Sequence, residues 1–235
     1  MPEYRWKENR MNQVNYQKEL EKVLNTLQEK GESSPDWRPP RLFLHSCCAP
    51  CSSYCLEYLC RYFLITVFYY NPNISFSEEY RKRVAEQKRL IAAYNAEKKG
   101  WQIDIVEGDY EPEKFYEMAK GYENCPEGGE RCFRCFDLRL RKTAELALAG
   151  GYDYFATTLT ISPLKNAVKI NEIGQALSQE YGVAWLPSDF KKKNGYKRSI
   201  ELSAEYELYR QNYCGCAFSR AEREVQIAEQ REHSE

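Results

Sequence analysis

Several features that would point to particular protein classes are scarce or missing in this 235-residue sequence. The longest apolar stretch, residues 63–70, is interrupted by Thr66 and is far shorter than the roughly 20 residues of a membrane helix. The first residues, MPEYRWKENRMN, contain neither an apolar segment nor a small-residue cleavage site of the kind found in secretory signals. We therefore expect a cytoplasmic protein with no membrane partner.

An excess of one charge is also missing, because 34 basic residues are balanced by 35 acidic ones. Nucleic-acid binding would therefore need a local basic patch. Histidine is rare, with only His45 and His233, so a Ser-His-Asp hydrolase has little basis. No G-x-G-x-x-G loop follows a predicted strand, and we find no motif for NAD, flavin or cobalamin. The apolar and charged fractions are ordinary, and they predict a folded chain with one sizeable domain.

The chain divides near Arg41. Residues 1–40 are predicted to form an N-terminal helix, with apolar side chains at helical spacing between Tyr16 and Leu27, followed by the proline-rich linker ESSPDWRPP. Residues 41–235 are predicted to form a single α/β catalytic domain with a charged C-terminal tail that contains His233.

Short apolar or alternating segments in that domain predict five strands. They cover residues 42–45, 65–70, 102–106, 152–158 and 183–186. Helical patterns separate them, and parallel strands need such crossovers. The expected fold is a mostly parallel, Rossmann-like sheet with helices on both faces, plus the N-terminal helical extension.

Several residues are predicted to begin or end the helices. Ser75 and Glu78 have the spacing of a capping box, and Asn166 and Gly182 are placed to cap and to stop one helix. Ser199 is predicted to cap the last core helix. That helix is expected to carry Leu202, Tyr206, Tyr209 and Tyr213 on one face.

Ligands of such sheets bind beyond the carboxyl ends of the strands. The segments in those positions here are HSCCAPCSS, YYNPNIS, TTLTISPLKN and LPSDFKKK. We expect them to form the rim of the active site.

The ten cysteines are the first positive indication of function, because thiols in a reducing compartment more often serve metal binding or redox chemistry than disulfide frameworks. Cys47, Cys48 and Cys51 follow the first strand, and Cys132 and Cys135 lie at the start of a predicted helix. A helix N-terminus favours the thiolate form that metals require. We favour metal binding over the alternative of small buried apolar residues.

The choice between zinc and an iron–sulfur cluster depends on spacing. Adjacent Cys47 and Cys48 are expected to point in different directions, which suits a cubane several Å across better than one small zinc ion, so we favour the cluster. Cys55 and Cys60 are expected in the core, and Cys125 in a loop is a weaker ligand candidate.

Cys214-Gly-Cys216 is predicted to follow directly on the last helix. A disulfide across one residue would be strained and easily reduced, which suits a redox cycle. Two further metal ligands, or two inert thiols, remain alternatives on spacing alone.

The segment DFKKKNGYKRS sets five basic residues against Asp189 at the predicted rim. The basic residues are Lys191, Lys192, Lys193, Lys197 and Arg198. Contact with nucleic-acid phosphates and a merely solvated loop are both open interpretations. His45 ends a strand, and we expect it to serve packing, with contact to a metal ligand as the alternative.

Together, the motifs HSCCAPCSS, FYYNPNIS, GGERCFRCFDLRLRKTAELA, TTLTISPLKN, PSDFKKKNGYKRS and LYRQNYCGCAFS closely resemble the cobalamin-independent epoxyqueuosine reductases of the QueH family. The resemblance covers residues 41 to about 220, so the N-terminal helix and linker fall outside it.

The resemblance implies a 4Fe–4S cluster held by Cys47, Cys48, Cys132 and Cys135. It also implies a redox-active pair formed by Cys214 and Cys216, and an additional iron, for which Cys51 is our candidate ligand. The implied reaction is the last step of queuosine synthesis, in which the epoxide of epoxyqueuosine in tRNA loses its oxygen. The implied partners are this tRNA and an electron donor that the sequence does not identify.

Two other functions share parts of the pattern. A tRNA-thiolating enzyme with an iron–sulfur cluster would carry a glycine-rich SGGxDS loop where this chain has SCCAPCSS, and without glycine the backbone cannot close round pyrophosphate in the same way. A non-catalytic, zinc-stapled nucleic-acid-binding module would need only the paired cysteines. Iron, sulfide and zinc content separates that module from both enzymes.

Overall fold

The computed structural model describes residues 14–34 and 36–232, and the chain alternates between strands and helices from Arg41 onward. The strands are β1 (Arg41–His45), β2 (Leu64–Tyr69), β3 (Asp104–Glu107), β4 (Tyr154–Thr157) and β5 (Ala184–Trp185). The helices are α1 (Tyr16–Ser33), α2 (Ala49–Leu59), α3 (Ser77–Ala96), α4 (Pro112–Ala119), α5 (Glu130–Ala149), α6 (Ala167–Tyr181), α7 (Gly195–Glu205) and α8 (Ala217–Glu232), with a 3₁₀ turn at Thr158–Ile161. No helix in this described part is both long and apolar enough to cross a membrane.

The five strands form one parallel sheet in the order β3-β2-β1-β4-β5. Alternate residues of β1 serve opposite faces, as the strand period of two requires. Leu42 and Leu44 pack in a core with α1, α2 and α3, whereas Phe43 packs in a second core with α5 and α6. The predicted α/β class and the helical cover on both faces are confirmed.

The strand order reverses between β1 and β4, because β2 lies on one side of β1 and β4 on the other. Chains that leave the carboxyl ends of two such strands diverge and open a crevice. The loops that follow β1 and β4 therefore meet at the place where a ligand is expected.

The predicted limits of α6 are confirmed. The Asn166 side chain accepts a hydrogen bond from the Lys169 backbone N–H at 3.0 Å, and Gly182 ends the helix at a φ of 74°. A side-chain cap and a left-handed glycine are the standard ways to satisfy the free groups at helix ends.

The predicted capping box is wrong. Helix α3 begins at Ser77 after Phe76, which makes no side-chain cap. The Ser75 hydroxyl instead accepts a hydrogen bond from the Ala217 backbone N–H at 2.9 Å. The Ser75 hydroxyl, predicted to cap α3, therefore caps a free backbone N–H in the first turn of α8 instead.

The prediction for the last core helix is also wrong. Ser199 lies inside α7, where its hydroxyl donates to the Tyr196 carbonyl at 2.7 Å. Helix α7 ends at Glu205, and the next residues turn through Glu207 at a φ of 49°, so Tyr206, Tyr209 and Tyr213 share no helical face.

Cys214-Gly-Cys216 therefore does not follow directly on α7. It precedes α8, which occupies the region predicted as a charged tail as far as Glu232. Neither α8 nor α4 was predicted. His233, the first thirteen residues and Pro35 of the linker lie outside the described residues.

Candidate metal and redox site

The site begins where β1 ends and the chain turns into α2. The Cys47 backbone N–H donates to the Thr158 hydroxyl at 3.3 Å, which ties this loop to the loop after β4. Behind the loop, the buried hydroxyls of Ser46 and Ser52 donate to the Gln87 side-chain oxygen at 2.7 and 2.8 Å. Buried, paired polar groups of this kind fix the path of the loop.

Cys47, Cys48 and Cys51 converge in this loop. Their sulfur atoms lie within 4.8 Å of one another, and in the described part of the chain no other three His, Cys, Asp or Glu residues are grouped as closely. The Cys47 and Cys48 Sγ atoms are 3.9 Å apart, so the expectation that adjacent side chains point apart is wrong. Cys48 is fully extended immediately before the first turn of α2, a backbone state that by itself turns neighbouring side chains apart, so the convergence depends on the surrounding fold.

The three thiols perturb one another's pKa. Hydrogen bonds from Cys48 and then Cys51 hold the pKa of the Cys47 thiol well below its usual value. The same hydrogen bond raises the pKa of Cys48 to about 11. Sulfur donors, one of which already favours the thiolate, suit zinc or iron.

Cys132 and Cys135 lie in the first two turns of α5, outside that group of three. Cys132 packs against the same apolar core as Cys47 and Cys48, and its sulfur accepts a hydrogen bond from the Gly128 backbone N–H at 3.2 Å. Cys135 is buried beside Cys216 in a small core of its own, and this burial raises the pKa of Cys135 to about 11.

Cys214 and Cys216 are separate thiols on either side of Gly215. The Cys214 sulfur accepts a hydrogen bond from the Asn73 side-chain amide at 3.7 Å, and the Cys216 sulfur accepts one from the Ser219 backbone N–H at 3.3 Å. Gly215 has a φ of 126°, and a Cβ there would lie 2.9 Å from a side-chain carbon of Ile74. Only glycine fits this close approach.

One cavity is lined by cysteines from two of these sets. Its walls include Cys47 and Cys51, and also Cys214. The segment TTLTISPLKN contributes Lys165, and the basic segment, which runs into the start of α7, contributes Tyr196. The rim that the sequence predicted at the carboxyl ends of the strands is thus partly confirmed, with residues 210–214 as an unpredicted wall.

Two buried arginines surround the cysteines, and sequence reasoning missed both. Arg139 is 1% exposed, and its guanidinium donates to the Cys135 carbonyl at 3.2 Å and to the Asn71 side chain at 3.3 Å. Arg83 is 2% exposed and donates to the Cys214 carbonyl at 2.9 Å. A charged residue in a helical pattern is usually predicted to face solvent. Phe136 and Leu140, which flank Arg139 on α5 and lie in the core, could have indicated that Arg139 is buried.

The cation on Arg139 has no carboxylate partner among the described residues, and its Nη2 atom has no hydrogen bond there. Burial by itself lowers its pKa, but the neighbouring thiols, first Cys135 and then Cys214, outweigh burial and raise it. An unpaired buried cation is costly unless an anion lies near it. The arrangement therefore fits an anionic group bound among the cysteines.

Burial bears on the predictions for His45, Cys55 and Cys60. His45 is fully buried, with ring nitrogens 2.8 Å from the Thr157 hydroxyl oxygen and 3.1 Å from the Tyr70 carbonyl oxygen, which confirms a packing role. Cys55 and Cys60 lie in the core as expected. Cys125 lies in the loop before α5, where its carbonyl accepts a hydrogen bond from Arg131.

The basic segment is largely neutralised by other parts of the protein. Lys191 pairs with Asp189 at 2.6 Å, Lys193 pairs with Glu21 of α1, and Arg198 pairs with Glu57 of α2 at 2.8 Å.

Three lysines of the segment, Lys192, Lys193 and Lys197, are exposed. Lys193 is neutralised by Glu21, so Lys192 and Lys197 carry the remaining solvent-facing charge.

Comparison with known proteins agrees with this geometry. The family described as Epoxyqueuosine reductase QueH matches residues 42–222. A Staphylococcus epidermidis protein named Epoxyqueuosine reductase QueH is 46% identical over 208 residues, which cover 88% of this chain and 84% of the relative. A Thermotoga maritima protein of the same name is 35% identical over 201 residues, which cover 82% of this chain and 98% of the relative. This chain belongs to the epoxyqueuosine reductase QueH family.

Proposed function

We propose that this chain reduces epoxyqueuosine in tRNA to queuosine, as an oxidoreductase. The observation that carries the proposal is that Cys47, Cys51 and Cys214 all line one cavity. A reduction needs electron-supplying groups beside the substrate, and this cavity has two sets of thiols within its walls. Membership of the family supplies the substrate, which the cavity alone does not identify.

Cys47, Cys48, Cys132 and Cys135 are proposed to hold a 4Fe–4S cluster, and Cys51 to contact an additional iron. The close grouping of Cys47, Cys48 and Cys51 and the unpaired cation of Arg139 support an anionic, thiolate-bound metal group here. When bound, such a group would supply single electrons and a Lewis acid.

Cys214 and Cys216 are proposed as the redox-active pair. Their two thiols become a disulfide and give up two electrons and two protons. Both C–O bonds of the epoxide break, a C=C bond forms, and the oxygen leaves with the two protons as water. A cellular reductant of the dithiol class then returns the disulfide to thiols.

The two thiols have different surroundings, which support different roles. Cys214 lines the cavity, whereas Cys216 is 6% exposed and is not among the residues that line it. Burial raises the pKa of Cys216. Cys214 is therefore proposed to face the substrate and Cys216 to complete the disulfide.

The tRNA is proposed to approach over the basic segment, which runs into the start of α7. Tyr196, at the start of α7, lines the cavity, and Lys192 and Lys197 are exposed on the same segment. Exposed lysines contact phosphates, whereas the ion-paired Lys191, Lys193 and Arg198 hold the segment in place.

The test begins with the full chain purified anaerobically, in which iron, sulfide and zinc are measured. We expect about four irons or slightly more per chain and broad absorbance near ~400 nm. The protein is then incubated with a reductant and tRNA carrying epoxyqueuosine, and the nucleosides are analysed by mass spectrometry for loss of one oxygen.

Two outcomes would contradict the proposal. Colourless, zinc-loaded protein that iron and sulfide cannot reconstitute would favour the non-catalytic binding module, and the 3.9 Å spacing of the Cys47 and Cys48 sulfurs is compatible with one tetrahedral ion. Incorporation of sulfur into tRNA would favour the thiolating enzyme.

A further inference from the structure

Lys165 projects into the same cavity from the loop that follows β4. Its backbone N–H donates to the Ser162 carbonyl at 3.2 Å, and the Leu164 backbone N–H donates to the Ser162 hydroxyl at 3.3 Å. Asn166 then caps α6, so the turn is fixed at both ends. The Lys165 side chain is thereby held beside Cys47, Cys51 and Cys214.

Three cationic side chains line this cavity, and Lys165 differs from the other two. The Arg139 guanidinium is held by the Cys135 carbonyl and Asn71, and the Arg210 guanidinium donates to the Ser203 hydroxyl at 3.1 Å.

The Lys165 ammonium group makes no ion pair or side-chain hydrogen bond with the described residues. Lys169, one turn along α6, is by contrast paired with Glu172 at 3.4 Å.

The charge on Lys165 is stabilised without a dedicated partner. Burial by itself lowers the pKa of its amine, but the negative potential of Cys47, Cys214 and Cys51 outweighs burial and raises it. The residue is therefore a half-buried hydrogen-bond donor, with three available N–H groups, that faces the space where substrate would lie.

The proposed reaction needs such a donor. Negative charge develops on the epoxide oxygen as its C–O bonds break, and a donor that is fixed in place stabilises this charge in the transition state. We propose that Lys165 is a catalytic residue that donates a hydrogen bond to the departing epoxide oxygen. This inference rests on the proposed function. The electron pair still comes from the Cys214 and Cys216 thiols, their protons leave in the water, and Lys165 ends the cycle unchanged.

The test compares Lys165→Met and Lys165→Arg with the control Lys169→Met. We expect Lys165→Met to lower kcat by about 100-fold or more, as expected for loss of a fixed oxyanion donor, and to raise KM for tRNA by no more than about tenfold. Lys165→Arg keeps a donor and a positive charge, and should recover part of kcat. Lys169→Met should match the unsubstituted protein.

Binding provides a readout that does not depend on turnover. In the Cys214→Ser background, we expect tRNA carrying epoxyqueuosine to bind about tenfold more tightly than tRNA carrying queuosine, because only the epoxide has the oxygen that accepts from Lys165. Adding Lys165→Met should abolish that preference.

Three results would overturn the assignment. The first is normal turnover by Lys165→Met, and the second is equal binding of the two tRNAs with Lys165 present. The third is a fall in kcat of Lys165→Met that is accompanied by a shift in the midpoint potential of the bound metal group. The last result would make Lys165 a counter-ion for the thiolates. If the unsubstituted protein itself leaves epoxyqueuosine intact, the proposed function fails. This result is distinguishable from failure of the Lys165 assignment, in which the unsubstituted protein is active.

Discussion

The contact between Arg83 and the segment that carries Cys214 allows a quantitative prediction. Arg83 donates to Glu79 at 2.7 Å through Nε and to the Cys214 carbonyl at 2.9 Å through Nη1. Its Nη2 lies 2.6 Å from the same Glu79 oxygen, at an angle that makes no directed hydrogen bond. The guanidinium also lies 5.2 Å from the centre of the Tyr213 ring. Arg83 therefore joins α3 to the residues just before Gly215.

Replacing Arg83 with Met keeps most of the apolar stem but removes the charge. Loss of one partner of a buried ion pair costs about 3–5 kcal/mol. Glu79 is 14% exposed and keeps the Tyr209 hydroxyl at 3.2 Å, so we expect the lower end, about 3 kcal/mol. For a chain of this size that cost corresponds to a fall of about 6–12 °C in Tm.

The assay is anaerobic thermal unfolding of the full chain, with mass spectrometry to follow alkylation of the peptide that contains Cys214. Arg83→Met should lower Tm by the stated amount and speed alkylation of Cys214, because the loop loses its main anchor. Arg81→Met on the exposed side of α3 is the matched control, and should change stability by no more than about 0.5 kcal/mol. If Arg83→Met behaves like this control in both measurements, the anchoring role is refuted.

Three further predictions concern the proposed site. Cys135→Ala should abolish iron binding and turnover. Cys60 is also buried, and Cys60→Ala should keep both activities and lower the free energy of unfolding by only about 1 kcal/mol. Equal iron loss in the two variants would mean that the ligands are misassigned. Cys214→Ser should leave iron content and absorbance intact and stop turnover, since one thiol cannot close a disulfide; bleaching of the absorbance would instead make Cys214 a ligand. Replacing Lys192 and Lys197 together with Gln should weaken tRNA binding and flatten its salt dependence by a slope of about 1–2, and an unchanged slope would return the segment to a solvated surface.

The sequence by itself determined the fold and two of the loops that meet at one edge of the sheet. Short β-branched and aromatic runs alternate with helical patterns, and this alternation predicts a parallel sheet because parallel strands need crossovers. The carboxyl ends of parallel strands share one edge, so the CCAPC motif and the TTLTISPLKN segment were expected together. Both signals are local in the chain, and both predictions are confirmed.

Tertiary structure decided which groups surround those motifs. Ser75 caps α8 instead of α3, Lys193 pairs with Glu21, and Arg83 reaches the Cys214 carbonyl. Each pair is separated by more than a hundred residues, so no local periodicity or capping rule could have found it. Cys47 and Cys48 converge although Cys48 is extended, and the burial of Arg139 depended on the cores packed against α5. These are properties of the assembled chain, because a side chain acquires its partners, burial and electrostatic potential only when distant segments meet.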